Sequence, residues 1–178
     1  MKKQMLMIMS VLALNTIIAQ QSSVVSTNSR TVTENYRIES KNNFDVKTTL
    51  ANENYFKDMN AKNTPLIVKQ LKQEVIKFNI QNSIVFDNSE DATYRVVFKN
   101  NRSKLVVKYN NHGEILSSIE KYKNIVIPVE LRIAISKKYP DWAFQKNTFY
   151  ITYNYGIGFK KSYKIQIGKG NLKKTLSL

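Results

Sequence analysis

Tyr94-Arg-Val-Val-Phe-Lys-Asn-Asn-Arg-Ser-Lys-Leu-Val-Val-Lys-Tyr109 decides the fold class. In it Tyr94, Val96 and Phe98 alternate with Arg95, Val97 and Lys99, and Leu105, Val107 and Tyr109 alternate with Lys104, Val106 and Lys108. Successive side chains of a strand point to opposite faces, so this period of two describes strands covered on one side and wet on the other. Asn100-Asn101 between the runs tolerates the positive φ of a tight turn, which makes the pair a hairpin. After the Asn110-Asn111-His112-Gly113 turn, a third strand from about Glu114 to Tyr122 completes an antiparallel meander.

On the N-terminal side, Thr64-Pro65 opens a helix to about Asn79. Val68, Leu71, Val75 and Phe78 share one stripe, with Lys69, Lys72 and Lys77 between them. On the C-terminal side the order restarts. Ile127-Pro128 opens a second helix, closed at Tyr139-Pro140, whose Leu131 and Ile135 are expected in the core. From Trp142 the alternation returns, with Phe149, Ile151, Tyr153 and Tyr155, then Tyr163, Ile165 and Ile167 beyond Gly156-Ile157-Gly158. Gly168 to Gly170 turns the chain into a last strand with Leu172 and Leu176. The expectation is an α+β domain over 63–178, with helices packed on one face of an antiparallel sheet. Its two helix-plus-meander runs read as tandem units, 63–126 and 127–178, of an internal duplication.

The first residues read as an export signal over 1–19: Lys2-Lys3, a short apolar run, then Ala19 at a cleavage position. The run is too short to span a bilayer comfortably, so no transmembrane segment is expected after cleavage and the location is periplasmic or secreted. Residues 20–62 form a Ser/Thr/Asn-rich leader and a stretch without period, left unassigned between strand and irregular structure. The chain holds no cysteine, so stability in an oxidising space must come from burial.

The formal net charge is +15, and about +13 once Lys2 and Lys3 leave with the signal. It is unevenly spread. Tyr36 to Asp91 balances eight basic against eight acidic residues, whereas Ala92 to Leu178 sets seventeen basic residues against Glu114, Glu120, Glu130 and Asp141. Such asymmetry implies attraction to something anionic, or else solubility and lysines guarding strand edges.

Catalytic and metal motifs are sparse. The single histidine, His112, lies in a turn, and without cysteine the usual zinc sites cannot be built. Asp87-Asn88-Ser89-Glu90-Asp91 begins like a calcium loop, but Ala92 and Phe98 stand where that loop needs Gly and Glu, so the cluster reads as a solvated hairpin loop. Neither glycine pair fits a phosphate loop, and no cofactor is expected.

Tyr109-Asn-Asn-His-Gly-Glu-Ile-Leu116, followed by Ile127-Pro-Val-Glu-Leu-Arg-Ile-Ala-Ile-Ser-Lys-Lys-Tyr-Pro-Asp-Trp142, resembles the PepSY-like proteins of Bacteroidetes, a family described as similar in fold to beta-lactamase inhibitory protein. The likeness covers about 64–178 and is best over Tyr94 to Trp142, with Ile127 where the family has Leu. It implies helices on one face of the sheet, a second face free to bind protein, and inhibition or modulation of an enzyme by analogy.

If the apolar strand faces meet the helices, period two sends Arg95, Lys99, Lys104, Lys108, Lys164 and Lys173 to the open face, with Tyr150 beside them. These are the candidate partner-binding residues of a non-catalytic, inhibitor-like module whose partner is an acidic protein or another anionic envelope component. A cell-envelope protein binding anionic glycan or lipid is the alternative, and a hydrolase a third reading. Nucleic acid suits the charge but not export, so none is expected. The exported protein should begin near Gln20, and its intact mass should lack residues 1–19; a mass that retains them would refute the signal.

Overall fold

A computed structural model describes residues 32–36, 52–57, 59, 61, 63–89 and 91–178 of the chain. The elements are β1 (Val32–Tyr36), α1 (Glu53–Lys57), α2 (Leu66–Lys77), a 3₁₀ turn (Ile80–Asn82), β2 (Tyr94–Lys99), β3 (Ser103–Tyr109), β4 (Ile115–Lys123), α3 (Val129–Lys138), β5 (Ala143–Asn154), β6 (Gly158–Lys169) and β7 (Leu172–Ser177). Strands β2 to β7 run as an antiparallel meander in chain order, and β1 pairs in parallel with β2 at the edge. A helix followed by three strands thus occurs twice, and the two runs share one sheet through the β4–β5 pairing. Residues 1–19, where an export signal is expected, lie outside the described residues. No helix among the described residues is long and apolar enough to cross a membrane.

The alternation predicted for β2 and β3 is realised in register. Tyr94 faces Tyr109, Val96 faces Val107 and Phe98 faces Leu105, all buried. α2 sets Val68, Leu71 and Val75 into this layer, which continues through Tyr122 to Phe149, Ile151 and Tyr153 of β5. α3 closes a smaller cluster of Ile127, Ile135, Ile165 and Ile167; Ile135 is buried, while Leu131 is only half-buried at its margin. Tyr163 packs on both clusters and joins them. Pro65 and Pro128 each sit one residue before their helix, with extended ψ of 143° and 142°. α3 stops at Tyr139, where the following Pro140 disfavours helical backbone.

One expectation needs correction. The sheet is antiparallel only from β2 to β7, because β1 reaches β2 by a crossover that contains α1 and α2, and such a connection delivers a parallel strand. The stretch 20–62, which shows no period in the sequence, contains β1 and α1 among its described residues. Asn52, just before α1, donates its side-chain amide to the Gly113 carbonyl oxygen (3.1 Å) and accepts from the Ile115 N–H (2.7 Å). It pins α1 to the sheet near the irregularity at Lys108/Tyr109 in the β3–β4 pairing. Tyr55 on α1 is fully buried, against Tyr153 and Phe159.

At the centre of the helix-covered layer lies an ion pair between Lys72 of α2 and Glu120 of β4, Nζ to Oε1 3.5 Å, with both side chains 0% exposed. The Glu120 carboxylate accepts hydroxyl hydrogen bonds from Tyr55 (3.0 Å), Ser118 (3.1 Å) and Tyr122 (2.6 Å). The Lys72 ammonium lies over the rings of Phe159 (4.5 Å) and Tyr55 (4.8 Å). Burial first, and then the Glu120 charge, push the Tyr55 hydroxyl well above the ordinary tyrosine range, so it remains a donor.

Removing one member of a buried pair strands the other charge, so Lys72→Met is expected to destabilise the fold by about 3–5 kcal/mol. Lys72→Met/Glu120→Gln, which leaves no charge and keeps an acceptor for the hydroxyls, should recover most of that loss. Urea midpoints of the three proteins check the cycle, and a double variant no more stable than Lys72→Met would show that the pair is not the unit.

Candidate functional site

With one face of the sheet under α1, α2 and α3, the register determines what the other face carries. Arg95 stands opposite Lys108, and Lys99 opposite Lys104. Lys104 in turn faces Lys121, and Lys121 faces Tyr150, whose ring lies 5.9 Å from the Lys121 ammonium. Lys123 and Lys164 flank Thr148 from either side. Lys146 faces Gln166, Lys160 faces Thr152, and Lys173 faces Gly168 on the last pair of strands.

All these basic side chains are exposed. No Asp or Glu of β2 to β7 shares their face, because the one acid in these strands, Glu120, points into the helix-covered core. Every residue expected on the open face from the sequence is therefore on it. They are not all together: Arg95, Lys99, Lys104, Lys108 and Tyr150 cluster around Lys121, whereas Lys164 and Lys173 stand towards the β7 edge.

Sequence reasoning missed Lys121, Lys123, Lys146 and Lys160. For Lys121 and Lys123 the available signal was phase: once Tyr122 is placed inside, its two chain neighbours lie outside. Between the cations runs an apolar cross-strand row, Val97, Val106 and Ile119, ending at Thr152. A hollow of about 280 Å³ opens on this face, lined by Arg95, Val106, Lys108, Ser117 and Ile119 together with Thr93 and Tyr94. At the same end of the sheet, beyond the Asn154–Gly158 pair, the β5–β6 hairpin tip exposes Tyr155 and Ile157.

The other candidate groups resolve into structure. His112 is exposed in its turn; its N–H donates to Asn110 Oδ1 (2.9 Å) and its carbonyl accepts from Gln81 Nε2 (3.2 Å). Gly113 beside it takes φ of +81°, which favours glycine. Asp87 is engaged locally, accepting from the Ser89 N–H (2.9 Å) and hydroxyl (2.6 Å). Its loop is not a hairpin, since it joins the 3₁₀ turn to β2. Among the described residues no group of three or more acidic, His or Cys side chains is arranged to hold a metal. The Lys72–Glu120 cluster is sealed from solvent and offers no surface to a ligand. No family model, curated protein or solved structure matches this chain.

Like charges directly opposite across strands destabilise a sheet. Lys99→Glu turns the Lys99/Lys104 pair into an attractive one and should raise stability by about 0.5 kcal/mol at low salt, with the gain fading as salt screens it. Lys160→Glu, whose partner is Thr152, should gain less. Urea midpoints at two ionic strengths test this, and equal gains for both would mean that the cross-strand pairs do not interact.

Proposed function

We propose that this chain is an exported, non-catalytic binding module that engages an acidic protein through its open, basic sheet face and thereby modulates or inhibits an exported enzyme. The observation that carries this reading is the set of exposed cations in directly opposed rows, Arg95/Lys108 and Lys99/Lys104/Lys121, with no carboxylate from β2 to β7 on their face. An isolated sheet loses stability from such rows, and an anionic surface laid over them turns the repulsion into attraction. The Met1–Ala19 stretch supports export. The PepSY-like resemblance over 64–178 supports a fold with one sheet face left for protein, and it supplies the inhibitory analogy.

An anionic glycan or lipid of the cell envelope is the second reading. The breadth of the charge favours it, from Arg95 on β2 to Lys173 on β7, since a long polyanion exploits a wide field.

The triple variant Lys99→Glu, Lys104→Glu, Lys108→Glu separates binding from folding. It keeps one repulsive pair, at 99/104, but makes 104/121 and 95/108 attractive, so its stability should equal or exceed that of the wild type. Its association with immobilised polyglutamate should slow sharply and lose most of its salt dependence, because steering charges act chiefly on the encounter rate. Unchanged capture by a correctly folded triple variant would reduce the charge to a solubilising role.

A further inference from the structure

Within the open face one residue contradicts its own chemistry. Ile119 is 61% exposed in the middle of β4, while its chain neighbours Ser118 and Glu120 are buried. A strand read by hydrophobicity alone would turn Ile119 inward and Glu120 outward. The structure does the reverse, because Tyr122 and Glu120 share the helix-covered phase. A break in local consistency of this kind marks function more often than chance. Ile119 also ends the apolar row that starts at Val97 and passes through Val106, and it helps to line the 280 Å³ hollow together with Arg95 and Lys108. On one side of that row stand Lys99, Lys104 and Lys121; on the other, the Arg95/Lys108 pair.

We infer that this hollow is a socket for one apolar side chain of an acidic protein segment, with carboxylates on either side of that side chain reaching the two cation rows. The inference rests on the proposed role of the open face and names what that face reads. A hollow with Val106 and Ile119 on one flank and Arg95 and Lys108 in its wall, with Lys99, Lys104 and Lys121 beyond the apolar flank, has the layout of a protein interface, where an apolar contact carries the affinity and surrounding charges set orientation. A polyanionic glycan has no group for an aliphatic flank and stacks on aromatic faces instead; Tyr150, the one tyrosine of this row of cations, is half-buried and paired with Lys121. A bilayer engages apolar side chains that project beyond the charged ones, not a recess between them.

A displayed random-peptide library panned against the purified full chain and against Ile119→Asn tests the inference, with urea midpoints confirming that the exposed substitution leaves the fold intact. Wild type should enrich peptides in which Leu, Ile, Met or Phe is flanked by Asp and Glu, and Ile119→Asn should enrich acidic peptides without the apolar residue. In a resynthesised peptide, replacing that apolar residue by Ser at constant charge should weaken binding to wild type by about tenfold or more, and barely affect binding to Ile119→Asn. Enrichment of acidic residues alone would overturn the socket and leave the anionic-partner reading standing. No acidic enrichment would overturn both. Phosphatidylglycerol vesicles or heparin binding in preference to the selected peptides, with Ile119→Asn indistinguishable from wild type, would overturn the socket in favour of a lipid or glycan.

Discussion

The fold depends on a carboxylate that is held, fully buried and paired with a lysine, on the middle strand of the sheet. Glu120 is tolerable there only because Lys72 descends from α2 to meet it, and because Tyr55, Ser118 and Tyr122 fill its lone pairs. These partners come from α1, α2 and β4 itself, with Phe159 of β6 beneath the ammonium, so one charge ties two helices to the sheet. A buried pair is a poor source of net stability, but it is a strong determinant of alternatives. Sliding β4 by one residue would expose the partners of Glu120 and drive Lys121 into the core. The pair therefore holds β4 in a phase that its hydrophobic pattern alone would not choose, and in doing so turns Ile119, Lys121 and Lys123 outward. The chemistry of the open face is a consequence of the chemistry of the closed one.

This coupling explains which parts of the molecule were legible in the sequence. β2 and β3 alternate cleanly, so Arg95, Lys99, Lys104 and Lys108 could be assigned to the open face, and Tyr150, Lys164 and Lys173 followed from the same rule on β5 to β7. α2 was legible from its stripe. The α+β class with helices and an antiparallel meander was likewise contained in element order. β4 was not legible in phase, because Ile115-Leu-Ser-Ser-Ile-Glu-Lys-Tyr-Lys123 has no alternation until the partner of Glu120 is known, and that partner is 48 positions away in sequence, at Lys72. Lys146 and Lys160 were hidden by the register shift between Phe144 and Lys146 and by the adjacent Lys160-Lys161. α1 was illegible for a related reason: Asn52 and Tyr55 are held by residues of the β3–β4 turn and of β4, so its order comes from tertiary contacts and leaves no local period.

The position of the charge within the sheet separates two explanations that composition could not. Lysines placed to prevent edge-to-edge association belong on edge strands, and Lys173 and Lys174 on β7 fit that role. Lys104, Lys108 and Lys121 do not, because β3 and β4 are paired on both sides; Lys99 does not either, because β1 covers the outer edge of β2. Their charge acts outward from the face. Protection against face-to-face stacking would also place lysines there, around the exposed Ile119 at their centre. Ile119 is a good strand former and meets Val106 across the β3–β4 pairing, so the apolar row costs the sheet little while it gives the cationic face an apolar strip at its middle.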